Sequence, residues 1–307
     1  MADPAVGWRM ENNYEFEDNY DLEGWMKWLD DNWAIYSFTL ITSYLILVYL
    51  GRQWMTNRAP YKLRGALLAW NVGLGAMSII ASWRLVPVMI NALYYDGFHS
   101  TMCSAKYYKP EFRGIWGIIF TLSKIPELGD TVFIVLRKQK LMFLHWYHHS
   151  SVILFVFFEY GGMASLCLWF GAMNFPVHSL MYPYYAVRAA GIRPPKWVAM
   201  VVTTSQIAQM MMGTYIVCYA FVVRLIGGDC EISDGRIAYA MLMYVTYGGL
   251  FANFFYHTYL KPRPKRSSKG EERNGNDVQM VQNGHPGNET KDSNANGSTR
   301  KRDVISG

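Results

Sequence analysis

Three histidines lie close together in an otherwise apolar stretch of the chain. The stretch covers residues 141–151, LMFLHWYHHSS, and contains His145, His148 and His149. Positions i, i+3 and i+4 share one face of an α-helix, so a helix here would point all three imidazoles the same way. Ionisable side chains on one face of so apolar a helix indicate a functional site. Metal ligation, covalent catalysis and acid–base chemistry all use such a set, and histidines satisfied by neighbouring helices are the structural alternative.

The distribution of charge along the chain indicates how this stretch is held. Of the 307 residues, 51% are hydrophobic, and long apolar segments alternate with short clusters of Lys and Arg. This pattern is typical of a helical protein that crosses a membrane several times. The formal net charge of +6 then reflects membrane topology, and it gives no reason to expect nucleic acid as a partner.

The hydropathy pattern predicts an all-α polytopic membrane protein with seven transmembrane helices. The spans cover about residues 33–50, 65–90, 114–136, 141–158, 163–187, 197–223 and 237–260. Basic clusters follow the first, third, fifth and seventh spans, which places those ends and the C-terminus in the cytoplasm. Residues 1–32 are then a lumenal arm, residues 33–260 the membrane domain, and residues 261–307 a disordered polar tail in the cytoplasm.

Two of the four cysteines fall in loops on the lumenal side of this topology. Cys103 lies between the second and third spans, and Cys230 lies between the sixth and seventh. Because the lumen permits thiol oxidation, we expect a disulfide that ties the two loops together. Two free thiols are the alternative.

Polar residues inside the spans lie at a common depth. At 1.5 Å per residue, counted from the basic cluster at each cytoplasmic end, they fall roughly 8–20 Å into the membrane. They come from four helices and are Lys124, Glu127, Asp130, His145, His148, His149, Asn174, His178, Gln206 and Gln209. The lumenal halves of the spans are largely apolar. The sequence therefore predicts a polar chamber that opens to the cytosol, with an apolar space beyond it.

Each of these sets also has a structural interpretation. Lys124, Glu127 and Asp130 have the spacing of an ion-pair ladder between helices, and glutamines commonly form hydrogen bonds between membrane helices. Tyr182 and Tyr185, near the end of the fifth span, fit an interfacial aromatic belt. The agreement in depth across four helices favours a shared functional site over four separate structural roles.

The residue types in this layer favour imidazole chemistry. The layer holds four histidines and no second histidine box, whereas membrane di-iron oxygenases draw on several such boxes, so we expect no metal. The remaining cysteines lie at the wrong depth for a thiol nucleophile. A neutral histidine can attack a thioester directly, and neighbouring imidazoles can act as bases or hydrogen-bond donors. An apolar space would suit a fatty chain, and a basic cytoplasmic mouth would suit a phosphate-rich carrier such as coenzyme A.

Four motifs at these positions resemble those of the very-long-chain fatty acid elongases. They are KIPELGDT with Lys124, HWYHH with His145, NFPVHSLMYPYY with His178, and TTSQIAQ with Gln206. The resemblance extends over about residues 14–260, and the run RKQKLMFLHWYHH is most similar to the elongase 6 subfamily. That subfamily acts on saturated and monounsaturated chains of about palmitate length.

The resemblance implies a fold, a reaction and a set of roles. Spans two to seven would form an inverted six-helix barrel around an acyl tunnel in the endoplasmic reticulum membrane. The reaction would be condensation of acyl-CoA with malonyl-CoA to 3-ketoacyl-CoA, without a cofactor, by transfer of the acyl group through His148. His178 would assist decarboxylation or stabilise the enolate. The other polar residues would orient the imidazoles or bind substrate, and they are His145, His149, Lys124, Glu127, Asp130, Asn174, Tyr182, Tyr185, Gln206 and Gln209.

The resemblance also implies partners and leaves alternatives open. A reductase and a dehydratase of the elongation cycle are the expected partners, beside membrane lipids, and a homo-oligomer is compatible with the family.

Pro176 and Pro183 in the fifth span predict a local kink. A metal-dependent membrane lipid hydroxylase or desaturase is the alternative enzyme, and a seven-helix receptor or transporter is the alternative outside enzymes.

Overall fold

The computed structural model of the protein describes residues 8–260, so the predicted tail at 261–307 lies outside the described residues. Regular structure in the described part is helical. The α-helices are α1 (Glu15–Asp18), α2 (Leu22–Met55), α3 (Arg64–Tyr95), α4 (Gly97–Cys103), α5 (Ile115–Glu127), α6 (Gly129–Leu136), α7 (Phe143–Gly161), α8 (Cys167–Ala189), α9 (Lys196–Leu225) and α10 (Asp234–Phe255). Short 3₁₀ turns follow α4, and a π-helical turn over Tyr256–Leu260 follows α10.

Each predicted span overlaps one long helix or a pair of shorter helices, although α2 begins at Leu22, within the predicted N-terminal arm. Within residues 8–260, four helical segments are long and apolar enough to cross a membrane, namely Leu22–Met55, Arg64–Tyr95, Lys196–Leu225 and Asp234–Thr258. The protein is therefore an all-helical protein with several membrane-spanning helices. α5 and α6, with 13 and 8 residues, are each too short to cross a membrane alone, and α7 and α8 carry histidines and other polar residues of the predicted layer.

The third predicted span is two helices and not one. α5 ends at Glu127 and α6 begins at Gly129, with Leu128 between them. Pro126 explains the break, because it has no N–H to donate and its ring crowds the preceding turn. The break places Glu127 at the end of one helix and Asp130 at the start of the next.

The fifth predicted span is one helix in spite of its prolines. α8 runs from Cys167 to Ala189 through Pro176 and Pro183, so neither proline ends the helix. Pro183 instead forms part of the contact with α3, where Gly75 allows close approach. A Cβ atom at position 75 would lie 3.2 Å from Cδ of Pro183.

Six helical units contact one another in a cycle. α3 packs against α8, α8 against α9, α9 against α10, α10 against α7, α7 against α5, and α5 against α3. α2 lies against α7 and α6. The core between the helices is aromatic and aliphatic, and it includes the buried side chains of Phe120, Phe155, Phe170 and Phe175.

The end of the bundle that we predicted to be lumenal is held by covalent and ionic contacts. Cys103 and Cys230 form the expected disulfide. Glu17 of α1 is fully buried and accepts hydrogen bonds from Nε of Arg84 at 2.8 Å and from Nε1 of Trp116 at 2.6 Å. Burial acts to raise the pKa of Glu17, but these hydrogen bonds outweigh it and hold the pKa below the ordinary glutamate value. The N-terminal arm is thus anchored to α3 and α5.

Candidate active site

A cavity of about 200 Å³ lies between the helices at the opposite end from the disulfide. It is lined from α3, α5, α6, α7, α8, α9 and α10. All but one of the predicted catalytic and substrate-binding residues line it, namely Glu127, Asp130, His145, His148, His149, Asn174, His178, Tyr182, Tyr185, Gln206 and Gln209. Lys124 lies directly behind Glu127 and Asn174 and is buried. The structure therefore brings the predicted layer of polar residues together around one space.

The three clustered histidines lie on one face of α7, as their spacing predicts. The ring centres of His145 and His149 are 4.3 Å apart, and those of His148 and His149 are 5.4 Å apart. Nδ1 of His149 is buried and has no hydrogen-bond partner within the described residues. Buried polar atoms in proteins nearly always have a partner, so this nitrogen is suited to a bound molecule or water.

His178 is held by a buried network on α5 and α8. Nζ of Lys124 donates to Oε1 of Glu127 at 2.6 Å and to Oδ1 of Asn174 at 2.9 Å. The same Oε1 of Glu127 lies 3.5 Å from Nδ1 of His178, and Nδ2 of Asn174 lies 3.2 Å from Nε2 of His178. Both ring nitrogens of His178 thus have neighbours that fix the orientation of the ring. The Lys124–Glu127 ion pair therefore links two buried charges and also holds the imidazole of His178 in place.

Asp130 is fixed from two other helices. Nε1 of Trp70 donates to Oδ1 of Asp130 at 2.7 Å, and the hydroxyl of Tyr182 donates to Oδ2 at 3.2 Å. The ring of Tyr182 also packs edge-to-face against His178, with the ring centres 5.3 Å apart. Asp130 therefore connects α3 and α8 next to the imidazole and does not contact it directly.

The glutamines of α9 contribute to the wall of the cavity. Gln206 and Gln209 both line it, and Nε2 of Gln206 lies 3.2 Å from Sδ of Met181. Thioether sulfur is a weak acceptor, so the amide of Gln206 keeps most of its hydrogen-bonding capacity for a bound molecule. Arg137, at the end of α6, adds a positive charge to the lining.

Besides Arg137, several residues that contact the histidines or Asp130, directly or through a neighbouring side chain, were not predicted from the sequence as site residues. Thr131 accepts or donates a 2.9 Å hydrogen bond with Nε2 of His145, and Tyr44 of α2 bonds the same threonine hydroxyl. Trp70 holds Asp130, as described above. Tyr247 of α10 packs against the ring of His148, with the ring centres 5.0 Å apart. Thr131 was visible in the motif with Asp130, whereas the roles of the three aromatic residues depend on how the helices pack.

The predicted apolar space is filled by side chains in this structure. Beyond the histidines, the interior is occupied by the packed core of aromatic and aliphatic residues described above. A second, much smaller cavity of about 20 Å³ lies at the far end, and its lining includes Leu85, Tyr160 and Leu168. The site therefore consists of a polar cavity that contacts an apolar interior.

The sequence of the chain matches one known protein family. The ELO family, described as the GNS1/SUR4 family, matches residues 28–267, which includes every helix that lines the cavity. The chain belongs to the ELO family. This confirms the resemblance that the four motifs indicated.

Individual relatives agree with this membership. The chain is 39% identical over 259 residues to very long chain fatty acid elongase 6 of Drosophila melanogaster, with 83% of this chain and 82% of the relative covered. It is 38% identical over 258 residues to very long chain fatty acid elongase 6 of Homo sapiens, with 84% and 96% covered. It is also 38% identical over 258 residues to very long chain fatty acid elongase 3 of Mus musculus, with 84% and 93% covered. Its several membrane-spanning helices, together with this membership, fit a multi-pass membrane protein.

Proposed function

We propose that this ELO protein is a condensing enzyme of fatty acid elongation, a very-long-chain 3-oxoacyl-CoA synthase. It joins a long-chain acyl-CoA to malonyl-CoA and releases 3-ketoacyl-CoA, CO₂ and CoA. The observation that carries the proposal is the position of His148 and His178 on facing sides of one cavity, with His178 held by Glu127 and Asn174. The names of the relatives, fatty acid elongases, support the reaction class. The resemblance of the run RKQKLMFLHWYHH to the elongase 6 subfamily implies an acyl chain of about palmitate length.

The reaction has two half-reactions that use different imidazoles. A ring nitrogen of His148 attacks the thioester carbonyl of acyl-CoA, the C–S bond breaks, and CoA leaves as a thiolate that takes up a proton. Malonyl-CoA then loses CO₂, and the resulting carbanion attacks the acyl carbonyl. The C–N bond to His148 breaks, the released ring nitrogen takes up a proton from water, and 3-ketoacyl-CoA leaves. His178 assists the decarboxylation of the malonyl group, and Glu127 and Asn174 orient its ring for this task.

The remaining side chains of the cavity bind and orient. Gln206, Gln209 and Tyr185 offer hydrogen bonds to the polar parts of the substrates, and Arg137 attracts the phosphates of CoA. The acyl chain extends into the apolar interior. Because that interior is filled by aromatic side chains, binding requires those side chains to move aside. No metal or other cofactor takes part in this scheme.

The proposal extends to the arrangement in the membrane. The α5–α6 pair, α7 and α8 cross the membrane in addition to the four spans of sufficient length and hydropathy, which gives seven spans. The cyclic contacts of α3, α5, α7, α8, α9 and α10 support a six-helix barrel, with α2 outside it. The barrel lies in the endoplasmic reticulum membrane with its N-terminus in the lumen, so that the cavity faces cytosolic CoA esters. The reductase and the dehydratase of the cycle then receive the product on that side.

The experiment is a condensation assay with the purified protein in lipid nanodiscs. Palmitoyl-CoA and malonyl-CoA labelled in the carboxyl group that is lost are supplied together, with a chelator present, and released CO₂ and 3-ketoacyl-CoA are measured. We expect both products in equal amount, and loss of both with His178→Ala. The control is His99→Ala, because His99 is an exposed histidine outside the cavity and its replacement should leave the rate unchanged. Absence of CO₂ release with any acyl length, or release only after metal is added, would contradict the proposal.

A further inference from the structure

Two buried hydroxyl groups connect the helix outside the cycle to the histidine cluster. The hydroxyl of Tyr44 on α2 lies 2.9 Å from Oγ1 of Thr131 on α6, and Oγ1 of Thr131 lies 2.9 Å from Nε2 of His145 on α7. Tyr44 is 6% exposed and Thr131 is 1% exposed. The three side chains therefore form a continuous hydrogen-bonded chain from the outer helix to the edge of the cavity.

Counting the donors and acceptors shows which group donates in each of these two hydrogen bonds. Within residues 8–260, the hydroxyl of Tyr44 has Thr131 as its one hydrogen-bond partner. A buried phenol that did not donate would leave its proton unsatisfied, so Tyr44 donates to Thr131. A threonine hydroxyl carries a single proton, and Thr131 therefore donates that proton to Nε2 of His145.

The direction determines the tautomer of His145. A nitrogen that accepts a hydrogen bond carries no proton of its own, so Nε2 of His145 is the unprotonated nitrogen. In the neutral imidazole the proton is then on Nδ1. His145 lines the cavity and its ring lies 4.3 Å from that of His149, so the Nδ1–H group is available to a molecule bound beside the histidines.

We propose that Tyr44 and Thr131 are positioning residues that fix His145 in the Nδ1–H tautomer, so that this N–H donates a hydrogen bond to the thioester oxygen of acyl-CoA. The identity of the acceptor rests on the proposed function, whereas the tautomer rests on the geometry alone. The proposal gives α2, which contributes no residue to the cavity lining, a defined role in the site. A correctly placed donor of this kind stabilises the oxyanion that forms when the thioester is attacked.

The tautomer is tested first by NMR, without any use of activity. The protein is labelled with ¹⁵N-histidine in nanodiscs, and the resonances of His145 are assigned by comparison with His145→Gln. We expect nitrogen shifts of the Nδ1–H tautomer in the unmodified protein, and a mixture of tautomers in Thr131→Val. An Nε2–H tautomer in the unmodified protein would overturn the proposal even if the protein is an active condensing enzyme.

The role of the two hydroxyls is tested next by kinetics of the condensation reaction. Tyr44→Phe and Thr131→Val each remove one hydroxyl with little change in shape, and each should lower kcat by about 10-fold with KM changed by less than about twofold. The double variant should be no worse than Thr131→Val, because the two hydroxyls act in one chain. Thr131→Ser keeps the hydroxyl and should restore the rate.

A matched control separates this role from a general effect of altering α2. Tyr49 lies on the same helix and is 63% exposed, so Tyr49→Phe should leave kcat unchanged. The elution profile and the melting temperature of each variant show that it is folded. Additive losses in the double variant, or a Thr131→Ser variant as slow as Thr131→Val, would overturn the proposal. If no condensation is seen for the unmodified protein, the NMR result still decides the tautomer.

Discussion

Replacing Glu127 by glutamine removes the negative partner of a buried lysine and should both destabilise and inactivate the protein. Nζ of Lys124 is hydrogen-bonded to Oε1 of Glu127 at 2.6 Å, and the two side chains are 1% and 2% exposed. Removing one partner of a buried ion pair leaves an uncompensated charge and typically costs about 3–5 kcal/mol. Since the glutamine oxygen can still accept the hydrogen bond from Lys124, we expect a loss of about 3 kcal/mol for Glu127→Gln.

A second substitution distinguishes the structural effect from the effect on His178. Adding Lys124→Met to Glu127→Gln removes the orphaned charge and should restore all but about 1 kcal/mol, the remainder being the lost hydrogen bond to Asn174. Activity should not return in the double variant, because His178 still lacks the carboxylate that lies 3.5 Å from its Nδ1. Stability and activity are thus expected to separate.

The assay is reversible unfolding in mixed micelles followed by tryptophan fluorescence, with the condensation rate measured on the same samples. The control is Arg224→Gln, which removes an exposed partner of Asp234 and should change the free energy of unfolding by less than about 1 kcal/mol. A Glu127→Gln variant as stable as the unmodified protein would refute the buried-charge reasoning. Recovery of activity in the double variant would refute the role of Glu127 in orienting His178.

Three further results are expected. His178→Ala should slow condensation by at least about 100-fold and should leave the acylation step, measured with acyl-CoA alone, nearly unchanged. Equal loss of both steps would count against the separate roles of His148 and His178. Cys103→Ser should lower the free energy of unfolding by about 2–4 kcal/mol, because Cys103 and Cys230 close a long loop, and an unchanged melting temperature would argue against this contribution. The unmodified protein should exceed Glu17→Gln in free energy of unfolding by the largest amount at neutral pH, and this difference should shrink as pH falls below 4.5. The reason is that the folded state holds the pKa of Glu17 below the ordinary value of 4.5. A difference that grows in acid would contradict this.

Residue spacing within a single helix proved sufficient to predict the histidine face. His145, His148 and His149 share one side of α7 because the helical repeat requires it. Distance from the basic clusters was sufficient to predict that residues of other helices would lie at the same level, as Asn174 and Gln206 do in the cavity. The first prediction uses only the helical repeat, and the second uses only the helical rise and the position of charge, none of which depends on how the helices are arranged.

Features that depend on contacts between helices could not be predicted in this way. The hydrogen bond from Trp70 to Asp130 and the packing of Tyr247 on His148 depend on the rotation of α3 and α10, which hydropathy does not determine. The role of Tyr44 depends on the contact of α2 with α6. The break at Leu128 had a visible cause in Pro126, but proline is tolerated inside membrane helices, so its presence alone did not predict two helices.

The most direct test of the proposed mechanism is the intact mass of the protein after incubation with palmitoyl-CoA alone, in the presence of a chelator. The mechanism predicts a mass increase of one palmitoyl group, located on His148 by peptide mapping and absent from His148→Ala. Addition of malonyl-CoA should then remove the adduct and release 3-ketoacyl-CoA. Condensation that proceeds without an adduct, or an adduct on a residue other than His148, would contradict the central claim that His148 carries the acyl group.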